Sequence, residues 1–209
     1  MKIGGLNSVS LSDYPGHIAA VIFTQGCNFL CIFCHNGFLI PRDVSGNLLI
    51  PEKEVFEFLE RRRSQLDGVV VSGGEPTTQP DLLRFLKKVK TMGFLLKLDT
   101  NGSRPKVLRN LIENKLVDYI AMDIKASLIR YHEFSRASYS DIKLIEDSIN
   151  LIASSGICHE FRTTYIPSMM SSLDVELIKE LVPPGSKHHF QKFYPEHALV
   201  PWLRKRRKI

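Results

Sequence analysis

The chain has 209 residues, of which 44% are hydrophobic and 24% are charged. This length suits one domain with a sizeable core, and the composition is that of a globular protein. No apolar run approaches the ~20 residues that cross a membrane, and the first residues lack the apolar segment of a secretory signal. We therefore expect one domain over residues 1–195, no membrane partner and a cytoplasmic location.

The net charge of +6 comes from 28 Lys and Arg against 22 Asp and Glu, and much of the excess lies in the five basic residues 204–208. Such a run can bind nucleic acid or an acidic partner, or it can be a solvated segment. No aromatic residues alternate with it, so nothing supports base stacking. We expect a solvated basic tail over residues 196–209 and no nucleic-acid partner.

Strand and helix patterns alternate along the chain after a turn-rich lead-in over residues 3–16. Apolar runs predict six strands, at 19–24, 69–71, 94–98, 119–122, 160–165 and 188–193. Helical spacing predicts helices between them, at 52–63, 81–92, 105–114, 141–153 and 173–181. Alternating units of this kind give parallel strands with right-handed crossovers and helices packed outside. Six strands are too few for a closed eight-stranded barrel, so we expect an α/β fold, a partial (β/α)6 barrel.

Three cysteines follow the first predicted strand, at Cys27, Cys31 and Cys34. They cannot all pair as disulfides among themselves, and thiolates gathered so closely are typical of a zinc or iron–sulfur centre. A structural zinc site is closed by four protein ligands, and a second pair of ligands is missing here. Three cysteines on a [4Fe–4S] cluster instead leave one iron open to a small molecule.

Polar segments also follow the next three predicted strands. They are Gly73-Gly74-Glu75, Asp99-Thr100-Asn101 and Asp123-Ile124-Lys125. The carboxyl ends of parallel strands meet at one face of a βα fold, and that face carries the chemistry. We therefore expect the three polar segments and the cysteines to meet at one mouth of the barrel.

The C-x3-C-x2-C spacing, with Phe33 just before the last cysteine, resembles the signature of the radical S-adenosylmethionine (SAM) superfamily. The flanking segments SDYPG at 12–16, TQGCN at 24–28 and CHN at 34–36 resemble the activating enzymes of glycyl-radical enzymes. Among these, the chain is most similar to the activating proteins of anaerobic ribonucleotide reductase. The resemblance runs from about residue 3 to residue 193. The superfamily fold is a partial barrel, which agrees with the strand and helix pattern.

The resemblance implies a cofactor pair, a [4Fe–4S] cluster and SAM. Cys27, Cys31 and Cys34 would hold the cluster, which in its reduced form cleaves SAM to methionine and a 5′-deoxyadenosyl radical. Phe33 corresponds to the residue that stacks beside the adenine, although plain packing would also explain it. The segment Gly73-Gly74-Glu75 corresponds to the one that adjoins the methionine amino group. Glycine also lets backbone approach a ligand closely, and a tight turn is the alternative explanation for the pair.

The remaining candidate residues carry charge. Lys125 is a donor suited to the SAM carboxylate, and Arg162 either reaches the same carboxylate or forms an ion pair at the core edge. The resemblance assigns Asp99, Thr100 and Asp123 to a monovalent cation that some activating enzymes hold near this carboxylate. An Asx turn leading into Asn101 is the alternative for Asp99.

The resemblance further implies that the radical removes a hydrogen atom from a glycine of a partner glycyl-radical enzyme, here anaerobic ribonucleotide reductase. An open mouth suits a protein loop as substrate. Four cysteines are too few for a second, ferredoxin-like cluster, so we expect an external one-electron donor such as flavodoxin or ferredoxin. Two alternatives stay open at this stage. One is a radical SAM enzyme acting on a small molecule, and the other is a non-catalytic metal-binding scaffold protein.

The other cysteine and three histidines have simpler expected roles. We expect Cys158, at the start of the fifth strand, to be a buried small side chain and not a ligand. His35 would be a polar neighbour of the cluster. His188 and His189 are adjacent on a strand, so they point to opposite faces and cannot bind one metal together.

Overall fold

A single sheet of seven strands organises the computed structural model, which describes residues 1–204. The strands are β1 Ile3–Ser10, β2 Ala19–Thr24, β3 Gly68–Gly73, β4 Leu95–Thr100, β5 Tyr119–Asp123, β6 Cys158–Tyr165 and β7 Lys187–Lys192. Their order in the sheet follows their order in the chain. Strands β2 to β7 are parallel to their neighbours, as the alternation of strands and helices predicts. The α/β class and the open partial barrel are therefore confirmed.

Strand β1 is an addition to the expected six. It pairs antiparallel with β2 at the sheet edge, in the segment that the sequence predicted to be a lead-in. Its register is irregular between Ile3 and Gly5 and again between Asn7 and Ser10. Irregular pairing and two glycines disrupt the alternation by which a strand is recognised in a sequence. The strand forms by backbone pairing with the edge of β2, and Ile3 anchors its start in the main core.

Helices cover the outer face of the sheet. They are α1 Glu52–Arg61, α2 Leu82–Thr91, α3 Pro105–Glu113, α4 Tyr131–Ser135, α5 Tyr139–Ser154, α6 Ser172–Glu180 and α7 Pro201–Arg204. Helix α2 buries Leu82, Phe85, Leu86 and Val89, which share one face at helical spacing. The five long helices lie within three residues of their predicted bounds. The short helices α4 and α7 were not predicted.

The two faces of the sheet have different partners. Val69 and Val71 of β3 pack into the main core with the helices, whereas Val70 packs on the inner face with Val21 and Tyr14. A strand covered on both faces reads as a continuous apolar run, as β3 does. The apolar inner cluster fills the amino end of the barrel, which leaves the carboxyl end of the strands for polar side chains.

The segment after β7 packs against the rest of the protein as far as Arg204. Val200 donates a hydrogen bond to the carbonyl of Ile32 at 3.1 Å, and Ala198 and Leu203 are buried. A solvated tail beginning at residue 196 does not describe these residues, because their apolar side chains cover the segment that carries the cysteines. The rest of the expected tail, 205–209, lies outside the described residues. The domain boundary at 195 stays a prediction.

None of the helices within residues 1–204 has the length and apolar composition of a membrane span.

Candidate functional site

A cavity of about 410 Å³ opens at the carboxyl ends of the parallel strands. All twelve residues that the sequence singled out line it, namely Cys27, Cys31, Phe33, Cys34, Gly73, Gly74, Glu75, Asp99, Thr100, Asp123, Lys125 and Arg162. Residues that are almost 140 positions apart in the chain thus meet in one place. Their separate chemical roles are not decided by this arrangement and stay predictions.

The cysteine loop, residues 25–36, is held in place by its backbone. Cys27 N donates to the carbonyl of Ile40 at 3.0 Å, and Leu30 N donates to that of Ser135 at 2.9 Å. Ile32 N donates to the carbonyl of Phe134 at 3.0 Å. Helix α4, which the sequence did not predict, therefore supports the loop that presents the thiols.

The three thiols of the loop suit a soft metal centre. Burial raises the pKa of Cys27 to about 11 and that of Cys31 to about 12. Burial also raises the pKa of Cys34, and the charge of Lys125 lowers the pKa of all three. Buried thiols of this kind become thiolates when they bind a metal. The three are free of disulfides.

The three cysteines line one cavity, as the ligands of a cluster do. Within residues 1–204, no three His, Cys, Asp or Glu side chains are placed to hold one metal ion together. Each cysteine ligand of a [4Fe–4S] cluster binds a different iron, so its three thiolates do not converge on one atom. Cys27, Cys31 and Cys34 line a common cavity, as such a cluster requires.

Gly73 and Gly74, at the end of β3, must be glycine because of contacts within the protein, whereas the sequence suggested a contact with a ligand. Gly73 has a φ of +116°, and a Cβ at Gly74 would overlap the carbonyl of Gly26. Gly74 N donates to Thr24 O and Glu75 N donates to Gly26 O, both at 2.9 Å. The glycines therefore let the end of β3 approach the backbone that leads into the cysteine loop. Their contact with SAM stays a prediction.

Glu75 is 1% exposed and joins the loops after β3 and β4. Its carboxylate accepts hydrogen bonds from Thr77 N at 3.0 Å, from Thr100 Oγ1 at 2.8 Å and from Asn101 N at 2.6 Å. The Thr77 hydroxyl donates as well. Burial raises the pKa of Glu75, and these four donors oppose the rise. The carboxylate is thus satisfied inside the protein, and a contact with the amino group of SAM stays a prediction.

Five charged side chains form a continuous group on the inner face, which we call the charged cluster: Lys97, Asp99, Asp123, Lys125 and Arg162. Asp123 accepts from Arg162 Nε and from Lys125 Nζ, each at 2.9 Å. Asp99 accepts from Lys97 Nζ and lies 3.6 Å from Arg162 Nη1. Arg162 is therefore an ion-pair partner of both carboxylates. Glu160, two residues before Arg162 on β6, adds a third negative charge beside the cluster. Lys125 and Arg162 line the cavity, where they can offer donors to an anionic ligand group.

The charged forms of Asp123 and Lys125 are strongly favoured. Burial would raise the pKa of Asp123, but the charges of Arg162 and Lys125 outweigh it and hold this pKa well below its ordinary value. Burial would lower the pKa of Lys125, but Asp123 outweighs it and raises this pKa well above its ordinary value. The Lys125 ammonium also lies 5.9 Å from the ring centroid of Phe33. A cation, an aromatic ring and the thiols thus share one end of the cavity.

Sequence reasoning missed several residues that line the cavity or support its loops. Asn28 donates to Ser103 Oγ at 2.8 Å and accepts from Asn101 at 3.0 Å, which ties the cysteine loop to the loop after β4. The position of both asparagines in strand-end segments was an available signal. Further lining residues are Asp13, Asn36, Ser72, Thr164 and Gln191. Lys97 gave no signal, because a lysine in a strand usually faces solvent.

The remaining cysteine and histidines are placed as follows. Cys158 is exposed, so the expectation that it is buried was wrong. It is the first residue of β6, whereas Arg162, four residues later, reaches the cavity. His35 lines the cavity, and its ring centroid lies 5.8 Å from that of His197. His188 contacts Thr163, and His189 lies 3.8 Å from Glu160 on the other face.

Comparison with known proteins agrees with this site. A model of the radical SAM superfamily matches residues 21–182. A protein of Methanocaldococcus jannaschii named "Putative glycyl-radical enzyme activating enzyme MJ1227" is 36% identical over 200 residues, which cover 94% of this chain and 81% of that protein. The pyruvate formate-lyase-activating enzyme of Clostridium pasteurianum is 32% identical over 129 residues, 59% of this chain and 52% of that enzyme.

A solved structure extends the comparison to the fold. SuiB of Streptococcus suis, in a crystal structure bound to S-adenosylmethionine, superposes with a TM-score of 0.67 at 14% identity. The match covers 90% of this chain and 43% of SuiB. At this identity the match shows the fold alone.

The chain belongs to the radical SAM superfamily, whose cofactors are a [4Fe–4S] cluster and SAM. It is therefore an enzyme, and the resemblance drawn from the cysteine motif is confirmed. The thiol set described above fits the cluster.

Proposed function

We propose that this protein activates a glycyl-radical enzyme by removing a hydrogen atom from a glycine of that partner. The observation that carries the proposal is the similarity over 94% of the chain to a protein named as an activating enzyme of this kind. The match to a pyruvate formate-lyase-activating enzyme supports it, although the chain spans only about half of that relative. A non-catalytic scaffold is set aside, because the chain belongs to an enzyme superfamily.

The residues of the cavity suit the two cofactors. A cluster with bound SAM supplies the radical chemistry, through reductive cleavage of a carbon–sulfur bond. Cys27, Cys31 and Cys34 would hold the cluster. Lys125 and Arg162 of the charged cluster would bind and orient the carboxylate of SAM. Phe33 would offer its ring to the adenine.

Glu75, Gly73 and Gly74 have a positioning role in this proposal. They join the loops after β3 and β4 to the start of the cysteine loop. This connection would keep the SAM-binding loops at a fixed distance from the cluster. Placing reacting groups in a fixed geometry is a main contribution of a protein to such a reaction.

The surroundings of the cavity favour a protein segment as substrate. Leu30 in the cysteine loop is 53% exposed, and Phe38 just after it is 68% exposed. Tyr194, whose ring centroid lies 6.2 Å from that of His35, is 46% exposed. Large apolar side chains left in solvent beside a functional cavity are typical of a surface that binds another protein. A small polar substrate would not need them.

Three finer assignments belong to the same proposal. The partner is anaerobic ribonucleotide reductase, as the segments at 12–16, 24–28 and 34–36 indicate. An external donor such as flavodoxin or ferredoxin supplies the electron. The protein acts in the cytoplasm, where cysteines stay reduced, a location that suits its four free thiols.

The test is activation of a partner under anaerobic conditions. The reconstituted protein, SAM and dithionite are mixed with an anaerobic ribonucleotide reductase, and the glycyl radical is measured by electron paramagnetic resonance. A pyruvate formate-lyase in place of the reductase is the comparison. A radical on the reductase supports the proposal, and a radical on the lyase alone corrects the partner. Cleavage of SAM with no radical on either protein would indicate a small-molecule substrate and overturn the proposal.

A further inference from the structure

Lys97 is a buried lysine on the inner face of β4. Its side chain is 1% exposed, and its ammonium group contacts a carboxylate oxygen of Asp99. In the sheet it lies between Val70 of β3 and Tyr119 of β5, whose ring centroid is 5.9 Å from the ammonium. A buried charge in such surroundings needs an opposite charge to compensate it. Asp99 is the residue that supplies it.

The residues that the family resemblance assigns to a monovalent cation already have partners in this chain. Asp99 accepts from Lys97 at Oδ1 and from Ser72 Oγ at Oδ2, the latter at 3.0 Å. Both oxygens of Asp123 accept from Arg162 and Lys125. A hard cation needs several oxygen atoms turned toward it, and here each of these carboxylate oxygens faces a proton donor.

The third of those residues is engaged as well. Thr100 donates its hydroxyl hydrogen to Glu75 at 2.8 Å, and its oxygen accepts from Gly102 N at 3.1 Å. Charge also opposes an added cation, because Lys97, Lys125 and Arg162 surround the two carboxylates and would repel it. The residues present therefore do not fit a monovalent cation.

We propose that the ammonium group of Lys97 takes the place of that cation. Lys97 is a positioning residue in this account. Its ammonium group neutralises Asp99 from the interior of the barrel. The attraction of Arg162 to Asp99 is then weaker, and Arg162 stays at the mouth of the cavity, where the carboxylate of SAM would bind. The inference concerns the site of the proposed function, but its first test uses the protein without cofactors and does not depend on that function.

The first test is thermal unfolding of the apo-protein in sodium, potassium and choline chloride at equal ionic strength. The wild type should have the same melting temperature in all three salts. Lys97→Ala removes the ammonium and opens space beside Asp99. This variant should melt lower in choline and recover part of the loss in sodium or potassium. The double variant Lys97→Ala/Asp99→Asn should lose that recovery, because it lacks the carboxylate.

Two results would overturn the proposal. One is a wild-type melting temperature that rises in sodium or potassium relative to choline, since the site would then bind a cation beside Lys97. The other is a Lys97→Ala variant that responds to the three salts as the wild type does. If Lys97→Ala does not fold in choline, its refolding on transfer to potassium is the supporting result, and failure to refold in any salt counts against the proposal. The comparison of wild-type melting temperatures in the three salts needs no variant and tests the proposal by itself.

The second test measures SAM binding to the cluster-loaded protein by calorimetry. The wild-type affinity should be the same in potassium and choline. The affinity of Lys97→Ala should fall at least about tenfold in choline, as expected for a lost charge-assisted contact, and should recover in potassium. A wild type that binds no SAM would refute the proposed function, while the melting experiment would still decide the role of Lys97.

Discussion

The hydrogen bonds of Glu75 predict how strongly two loops of the site depend on one side chain. In Glu75→Gln, the amide oxygen can take over the three donors from Thr77 and Thr100 that now meet Oε1. The amide NH2 must then face Asn101 N, which now donates to Oε2 at 2.6 Å. Two donors would oppose each other, and the backbone N–H cannot rotate away.

The magnitude follows from these contacts. A buried N–H without an acceptor costs about 2 kcal/mol. Loss of the charge weakens the other three hydrogen bonds, whereas a neutral amide is easier to bury than a carboxylate. The net of these two effects is a further destabilisation of roughly 1 kcal/mol. We therefore expect Glu75→Gln to lower the free energy of unfolding by about 3 kcal/mol. For a chain of this size, this is a decrease in melting temperature of roughly 6 to 12 °C. Glu75→Ala should cost more, because two backbone N–H groups lose their acceptor.

The assay is denaturant unfolding of the apo-protein at neutral pH, followed by circular dichroism. Glu146→Gln is the matched control, because Glu146 is exposed in the middle of α5 and the same substitution there should change stability by less than about 0.5 kcal/mol. The expected order of destabilisation is Glu75→Ala, Glu75→Gln, Glu146→Gln. A Glu75→Gln protein as stable as the control would refute the description of Glu75 as a fully bonded connection between the loops.

Two further predictions concern charge and the surface beside the cavity. Because the pKa of Asp123 is held below its ordinary value, its contribution to stability is complete above about pH 4 and is lost as the pH falls toward its folded-state pKa. Asp123→Asn should therefore flatten the decline of stability with acid, and an unchanged decline would argue against the ion pairs with Arg162 and Lys125. Phe38→Ser should lower the yield of the glycyl radical on the partner severalfold when the partner is limiting. It should not change the cleavage of SAM in the absence of the partner. Equal partner radical from both proteins would show that Phe38 does not bind the partner.

The parallel strands were predictable from sequence for a physical reason. A strand covered on both faces is a short apolar run, as at Val69–Val71, and polar residues at its end mark where it leaves the sheet. Those same ends gather at one face of the fold, so the cavity could be assembled from the sequence before any contact was known. Strand β1 could not be predicted, because its backbone pairing with β2 forms it and its side chains alternate poorly.

Several details of the site depend on tertiary contacts that leave no sequence pattern. The pair Gly73-Gly74 is visible in the sequence, but the approach of Gly26 that requires Gly74 is not. Lys97 looks like a surface residue until β3 and β5 are placed on either side of it. The expected burial of Cys158 was wrong because it is the first residue of β6, and the buried residues of that strand, Phe161 and Thr163, come later.

The most direct test of the account is the release of 5′-deoxyadenosine by the reconstituted protein under anaerobic conditions with dithionite. The account predicts about four irons and four sulfides per chain, with SAM cleaved by the wild type. Cys31→Ala should abolish cleavage, whereas Cys158→Ala, which changes an exposed cysteine outside the cavity, should cleave SAM as the wild type does. A wild-type protein with a full cluster that releases no 5′-deoxyadenosine, or a Cys31→Ala protein that still does, would contradict the claim that these three thiols hold the reactive cluster.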